Sequence, residues 1–178
     1  MRKPDEFSIE SERLSVRGWH DDDRAALERM VADGDMMRYL TRGRAWSVGE
    51  VDEFLQRQAA QLEQHGVCMG PLVLRDGGAI IGVAGIQPLD LPGEFELGWW
   101  VWKSHWGLGY APEAGRALAA FAAREMGLKR VVAVIDPDNA ASIRVAEKIG
   151  LRYERTVKAR ETAARRDDSP VALYASEL

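Results

Sequence analysis

Between residues 9 and 19, IESERLSVRGW, Leu14 and Val16 alternate with Arg13, Ser15 and Arg17, and this period of two predicts a first strand. The period then lengthens. In HDDDRAALERMVADGD, Asp21 or Asp22 can cap a helix whose apolar stripe is Ala26, Leu27, Met30 and Val31, with Asp33-Gly34 at its end. A second helix starts at Ser47, where SVGE fits a capping box, and carries Val51, Phe54, Leu55, Gln58 and Leu62 at helical spacing up to Gly66. From there the apolar runs shorten and are broken by Asp76-Gly77-Gly78 and Leu91-Pro92-Gly93, which predicts strands at 69–75, 79–87 and 94–102. A long helix follows over about 110–126 with Ala111, Ala114, Leu118, Phe121 and Ala122 on one face. RVVAVID, 130–136, reads as a buried strand, PDNAASIRVAEKIG as a capped helix ending at Gly150, LRYERTV as a strand, 158–169 as a charged loop and PVALYASEL as the last strand.

This order places one parallel crossover between strands 94–102 and 130–135, and hairpins elsewhere. The expectation is a single α/β (α+β) domain, 1–178, with a mixed, largely antiparallel sheet of seven strands flanked by helices. Neither repeats nor a linker divide the chain.

Aromatic residues crowd one place. ELGWWVWKSHWGLGYAPEAG, 96–115, packs four tryptophans into eight positions and then enters Gly107-Leu108-Gly109. A helix start leaves backbone N–H groups unpaired and carries partial positive charge. Glycines let those groups face one way and let a ligand come close. The N–H groups of Leu108, Gly109, Tyr110 and Ala111 then suit a phosphate or pyrophosphate, and Pro112 is tolerated in the first turn. Taken alone, a Gly-x-Gly turn is more often just a tight turn. A dinucleotide fingerprint wants glycine where Pro112 stands, and Gly-Lys-Ser/Thr of a nucleotide P-loop is absent.

The net charge of −4 argues against a general nucleic-acid surface. No run approaches the roughly 18 apolar residues of a membrane span, and Met1-Arg-Lys-Pro-Asp-Glu leads into no apolar signal region. Cys68 is the only cysteine, so a cytoplasmic location is expected. His20, His65 and His105 show no metal spacing, and no metal is expected.

Trp106-Gly107-Leu108-Gly109-Tyr110-Ala111 resembles the pyrophosphate loop of the GNAT superfamily of acetyl-CoA-dependent N-acetyltransferases, Gln/Arg-x-x-Gly-x-Gly/Ala, and departs from it at Trp106. WGLGYAPEA is similar to the loop of the branch of ribosomal-protein N-terminal (alanine or serine) acetyltransferases. SERLSVRGWHDDD with MMRYL, ELGWWV, and DNAASIRVAEKIGLRYE resemble three further stretches of that branch in the same order, so the likeness spans roughly residues 11–157. It implies a sheet that splays between strands 94–102 and 130–135, with acetyl-CoA as cosubstrate in the gap and its pyrophosphate on the loop.

Transfer to an amine needs a neutral nitrogen. Deprotonating a lysine at pH 7 costs about 4–5 kcal/mol and an α-amine about 1 kcal/mol. The resemblance implies Glu96 as the base, with Glu94 in reserve; a solvent or salt-bridge role is open for both. It also implies a thioester oxygen bonded by a backbone N–H around Trp100, Val101 and Trp102, and Ser142 protonating the thiolate or binding CoA. Asn139 bonds the pantetheine arm, caps its helix, or does both. Ala146 stands where many members carry a tyrosine acid. Alternation puts Phe95, Leu97, Trp99 and Val101 on one strand face and Glu96, Gly98, Trp100 and Trp102 on the other, where Trp100 or Trp102 either line an acceptor pocket or pack.

Segments 20–65 and 158–169 would wall the acceptor site, with Arg38, Tyr39, Arg42 and Arg44 meeting an anionic acceptor or solvent. The acceptor is then a protein N-terminal α-amine or a small amine such as an amino acid, polyamine or aminoglycoside. An acyl-CoA-binding protein without turnover is the remaining reading. A sheet edge near the last strand would invite a homodimer.

Overall fold

The structure, a computed structural model, describes residues 7–162 and 167–178. The N-terminal stretch read for a signal region, and four residues of the charged segment 158–169, lie outside the described residues.

Among the described residues one eight-stranded sheet runs β1-β2-β3-β4-β5-β6-β8-β7. The strands are β1 (Ser8–Glu10), β2 (Leu14–Arg17), β3 (Met69–Leu74), β4 (Ile80–Pro88), β5 (Phe95–Val101), β6 (Arg130–Ile135), β7 (Arg152–Lys158) and β8 (Pro170–Glu177). The helices are α1 (Arg24–Ala32), α2 (Gly34–Met37), α3 (Val48–His65), α4 (Tyr110–Arg124) and α5 (Ala140–Lys148). Eight strands replace the expected seven because the first one folds back on itself. Ser11 N donates to Leu14 O, closing a turn that pairs β1 with β2.

Over the strands from β2 to β5 each sheet face is covered. Leu118, Ala114 and Ala122 of α4 bury Leu97 and Val101 of β5 and Ile86 of β4 on one face. Leu27 and Met30 of α1 and Val51 and Phe54 of α3 bury Met69 and Val83 on the other. Burial of α3 follows its sequence pattern: Ser47 accepts from Glu50 N, Glu50 accepts from Ser47 N, and Gly66 ends the helix at φ 72°. The cap before α1 differs from expectation. His20 N donates to Asp23, not to Asp21 or Asp22, because Arg17 clamps the Asp23 carboxylate with two bonds of 2.6 and 2.9 Å.

Neighbouring strands are antiparallel except β5 and β6, which run parallel and touch through a single pair, Glu96 with Val132. The last strand is not an edge. β8 lies between β6 and β7, so the open edge at that end is β7, an exposed strand reading RYERTVK. Charges on an edge strand discourage strand addition.

Candidate active site

β5 stops at Val101 and α4 starts at Tyr110, and the connecting segment turns on two left-handed glycines, Gly107 at φ 76° and Gly109 at φ 81°. A side chain at either position would strain the backbone. No side chain caps α4, and the N–H groups of residues 107–111 meet no protein acceptor among the described residues. Unpaired donors at the positive end of a 15-residue helix suit adjacent phosphates. Trp106, the departure from the loop pattern, pins the turn: its indole N–H donates to Val101 O at 2.6 Å.

A contact invisible to local sequence reading braces the loop from behind. Glu113, in the first turn of α4, accepts from the Ser11 hydroxyl (2.7 Å), from Arg13 N (2.8 Å) and from the Arg13 guanidinium (2.7 and 2.6 Å). Arg13 also donates to Leu108 O at 3.1 Å and lies over the Tyr110 ring at 4.5 Å. Burial alone would raise the Glu113 carboxyl, but these donors hold it below the ordinary carboxylate range. The β1–β2 turn is therefore clasped to the glycine loop across about 100 residues of chain.

Beyond the single Glu96–Val132 pair, β5 and β6 diverge and open a cleft of about 790 Å³. Glu96 stands at the point of divergence. One carboxylate oxygen accepts from the Nε2 of Gln87, its cross-strand neighbour, at 2.7 Å, and the other from Val134 N at 3.2 Å. Burial pushes the Glu96 carboxyl above the ordinary range, against the pull of those two donors. Glu94 is not brought to this place. It pairs with Arg130 at 3.2 Å, which also holds Glu154 at 2.6 Å, and it is absent from the cleft wall.

Trp102 N donates to Ile81 O of the neighbouring strand, so this N–H is not free for a carbonyl oxygen, contrary to expectation. Strand alternation turns the Trp100 N–H the same way, towards β4, and leaves those of Trp99 and Val101 facing the gap. The Trp100 side chain lines the cleft, whereas Trp102 packs with the α1–α3 core. Gly107, Gly109, Tyr110 and Ala111 line the cleft with Trp106; Leu108 is exposed and lies outside that lining.

The opposite wall is α5. Asn139 caps it by accepting from Ser142 N at 3.1 Å, which leaves the Asn139 amide N–H₂ available to the cleft, and Ser142 lines the same wall. Arg144 and Lys148 add positive charge there. Ala146, one turn beyond Ser142, is fully buried in the core under α5 and presents no acid. Among the described residues no cluster of three or more His, Cys, Asp or Glu is placed to hold a metal. Burial pushes the Cys68 thiol up to about 12, which makes it unreactive.

The other arm of the cleft is walled by Asp35, Met36, residues 38–41, Trp46, Phe54, Arg57 and Met69. The part of segment 20–65 that reaches it is therefore narrower than expected. Arg42 and Arg44 turn away, to Asp167 at 3.5 Å and Glu50 at 2.7 Å. Sequence reading does not bring Trp46, Phe54, Met69 or the Arg13–Glu113 pair to this cleft. Glu113 in the first turn of a helix was a signal, since an acid at that point usually has a donor to meet.

The family model for the acetyltransferase (GNAT) domain matches residues 13–152. The chain is 31% identical to YkkB of Bacillus subtilis (strain 168) over 167 residues, 92% of each chain. It superposes on an acetyltransferase from Agrobacterium tumefaciens str. C58 with a TM-score of 0.81 at 25% identity, covering 97% of this chain and 95% of that one. An acetyltransferase from Salmonella typhimurium that modifies the N-terminal serine of 50S ribosomal subunit protein L7/L12 shares the fold, with a TM-score of 0.78 at 22% identity over 97% of this chain and 99% of that one. An uncapped glycine loop at one end of a splayed strand pair, with a family match over most of the chain, leads to one conclusion: the chain belongs to the GNAT family and is an acetyltransferase.

Proposed function

We propose that the protein transfers the acetyl group of acetyl-CoA to a primary amine by direct attack in a ternary complex. The observation that carries this reading is the cleft itself, with unpaired N–H groups at its loop end and Glu96 where the strands part. Acetyl-CoA fits these residues as cosubstrate. Its pyrophosphate suits the N–H groups of 107–111, and its pantetheine arm suits the Asn139 amide and the strand edges. Bound there, it supplies an activated acetyl carbonyl.

Glu96 accepts a proton from the incoming ammonium, directly or through one water. The neutral nitrogen attacks the carbonyl carbon and the N–C bond forms; as the C–S bond breaks the nitrogen gives up a second proton, the departing sulfur gains one, and CoA leaves as its thiol, so the net proton released is the one taken by Glu96. The Val101 N–H, facing the gap, stabilises charge on the carbonyl oxygen, and the Ser142 hydroxyl is the nearest candidate on α5 to protonate sulfur. The cytoplasm is the compartment proposed for this reaction, since a lone buried thiol suits reducing conditions.

The test is initial-rate kinetics of thiol release with acetyl-CoA and a panel of amines, including peptides with free N-termini. Intersecting double-reciprocal lines are expected. Parallel lines would contradict direct attack, and CoA binding without release in any amine would favour a binding protein.

A further inference from the structure

On β4 the residues that share a face with Glu96 of β5 are Val83, Gly85 and Gln87, and Gln87 stands directly across the ladder from Glu96. Of the three only Gln87 is polar. A half-buried amide costs free energy unless it is hydrogen-bonded. Gln87 meets that demand at one place. Its Nε2 donates to one Glu96 carboxylate oxygen at 2.7 Å, and among the described residues its amide makes no other bond. An ionised carboxylate only accepts, so this contact also fixes which way the amide faces. Both residues line the cleft.

From the other side Val134 N of β6 donates to the second Glu96 oxygen at 3.2 Å. The carboxylate is thus held between the two strands that flank β5, beside the one ladder pair that joins β5 to β6. Donors from opposite sides set the plane of the carboxylate, and each oxygen keeps a further lone pair to accept with. The two donors differ in what else they do. Val134 also belongs to the β6–β8 ladder, so the fold sets its place. The Gln87 amide has no partner but Glu96. Charged neighbours do not take over its part: the next acid on this face of β5, Glu94, is paired with Arg130 of β6 at 3.2 Å, and no charged side chain of β4, β6 or another neighbouring element acts on Glu96. Burial raises the Glu96 carboxyl, and against it stand only the Gln87 and Val134 donors, of which Gln87 is the stronger.

Resting on the reading of Glu96 as base, we infer that Gln87 is a positioning residue of the reaction: its amide holds the Glu96 carboxylate in the orientation and ionised form that accept the proton, and it acts on the acceptor only through Glu96. Sequence reading points to Glu96 alone. The β4–β5 register gives it this partner.

The experiment measures kcat against pH, with the amine of the panel above that turns over fastest, in wild type, Gln87→Met, Gln87→Glu, Glu96→Gln and the double variant Gln87→Met/Glu96→Gln. Methionine keeps the length of the side chain and donates nothing. Gln87→Met should move the rising limb of kcat up by roughly one to two pH units, so that kcat at a pH on that limb falls about 10–100-fold, while the KM for acetyl-CoA is unchanged. Gln87→Glu sets two carboxylates side by side and should move the limb further up still. In the Glu96→Gln background, Gln87→Met should change kcat by less than about two-fold, because the two residues act as one unit. A wild-type limb in Gln87→Met, or losses that multiply in the double variant, overturns this inference and leaves Glu96 as base. Glu96→Gln as active as wild type, or acetyl-CoA binding with no turnover of any amine, overturns both.

Discussion

Glu96 is the base we propose, and its setting gives it two signatures. Its carboxyl is held above the ordinary carboxylate range by burial, so the rate should rise with pH through that displaced value as the base form appears. Glu96→Gln should flatten this limb and lower kcat about 10²–10⁴-fold, with the KM for acetyl-CoA little changed. Stability should move the opposite way. In the window between the unfolded and folded values the native state binds more protons than the unfolded chain, so Glu96 stabilises the fold at low pH and that contribution fades as pH rises. Glu96→Gln should therefore melt no lower than wild type at pH 8 while being far less active. A variant that is both inactive and strongly destabilised at pH 8 would make Glu96 a structural residue.

At the scale of elements, the glycine loop depends on a partner distant in sequence. The Ser11–Arg13 turn holds Glu113, and Arg13 holds Leu108 O, so the loop geometry is set by β1–β2. Arg13→Ala should weaken acetyl-CoA binding by roughly ten-fold, ~1.4 kcal/mol, and raise its KM with little effect on kcat. Arg13→Lys, which keeps the charge but not the fork, should recover only part. A fall in kcat at constant KM would refute the brace. Gly98→Ala makes a complementary prediction. The new methyl displaces the tip of Met69, a flexible chain end, into the acceptor arm, so acceptor KM should rise several-fold and acetyl-CoA KM should hold.

Elements with strong local signals were readable from sequence: the Ser47–Glu50 capping box, the Gly66 stop, the strand 130–135, the Gly107–Gly109 turn and Glu96 on the strand before it. What escaped depends on long-range packing. The chain reversal at Ser11–Arg13 turned one expected strand into two. Trp46, Phe54 and Trp100 have ordinary local roles, and only the docking of α3 on β5 packs them into one cluster. Alternation placed Trp100 and Trp102 on one face, as found, but could not tell that one lines the cleft while the other packs, or that the Trp102 N–H goes to Ile81.

For the molecule as a whole, the sheet is two halves joined where β5 meets β6 by one ladder pair, the Glu96–Val134 bond and the Glu94–Arg130 ion pair. A ligand lying in the gap would tie the halves together. Saturation at about 100 times Kd should add ~2.7 kcal/mol, a rise in Tm of roughly 5–10 °C for a chain of this size, and amide exchange at Trp99 and Val101 should slow on binding. No helix among the described residues is long and apolar enough to cross a membrane.

Calorimetric titration of acetyl-CoA and of S-acetylpantetheine, which lacks the pyrophosphate, into wild type and Gly109→Trp tests the central claim most directly. Gly109 sits at φ 81° with the Arg13 guanidinium 3.5 Å from its Cβ position, so tryptophan both strains the turn and breaks the brace. The account predicts that wild type binds acetyl-CoA at least about 30-fold tighter than S-acetylpantetheine, since charged hydrogen bonds contribute ~1.5–3 kcal/mol each, and that Gly109→Trp removes the difference. Equal affinity for the two ligands in wild type, or no binding of either, would contradict it.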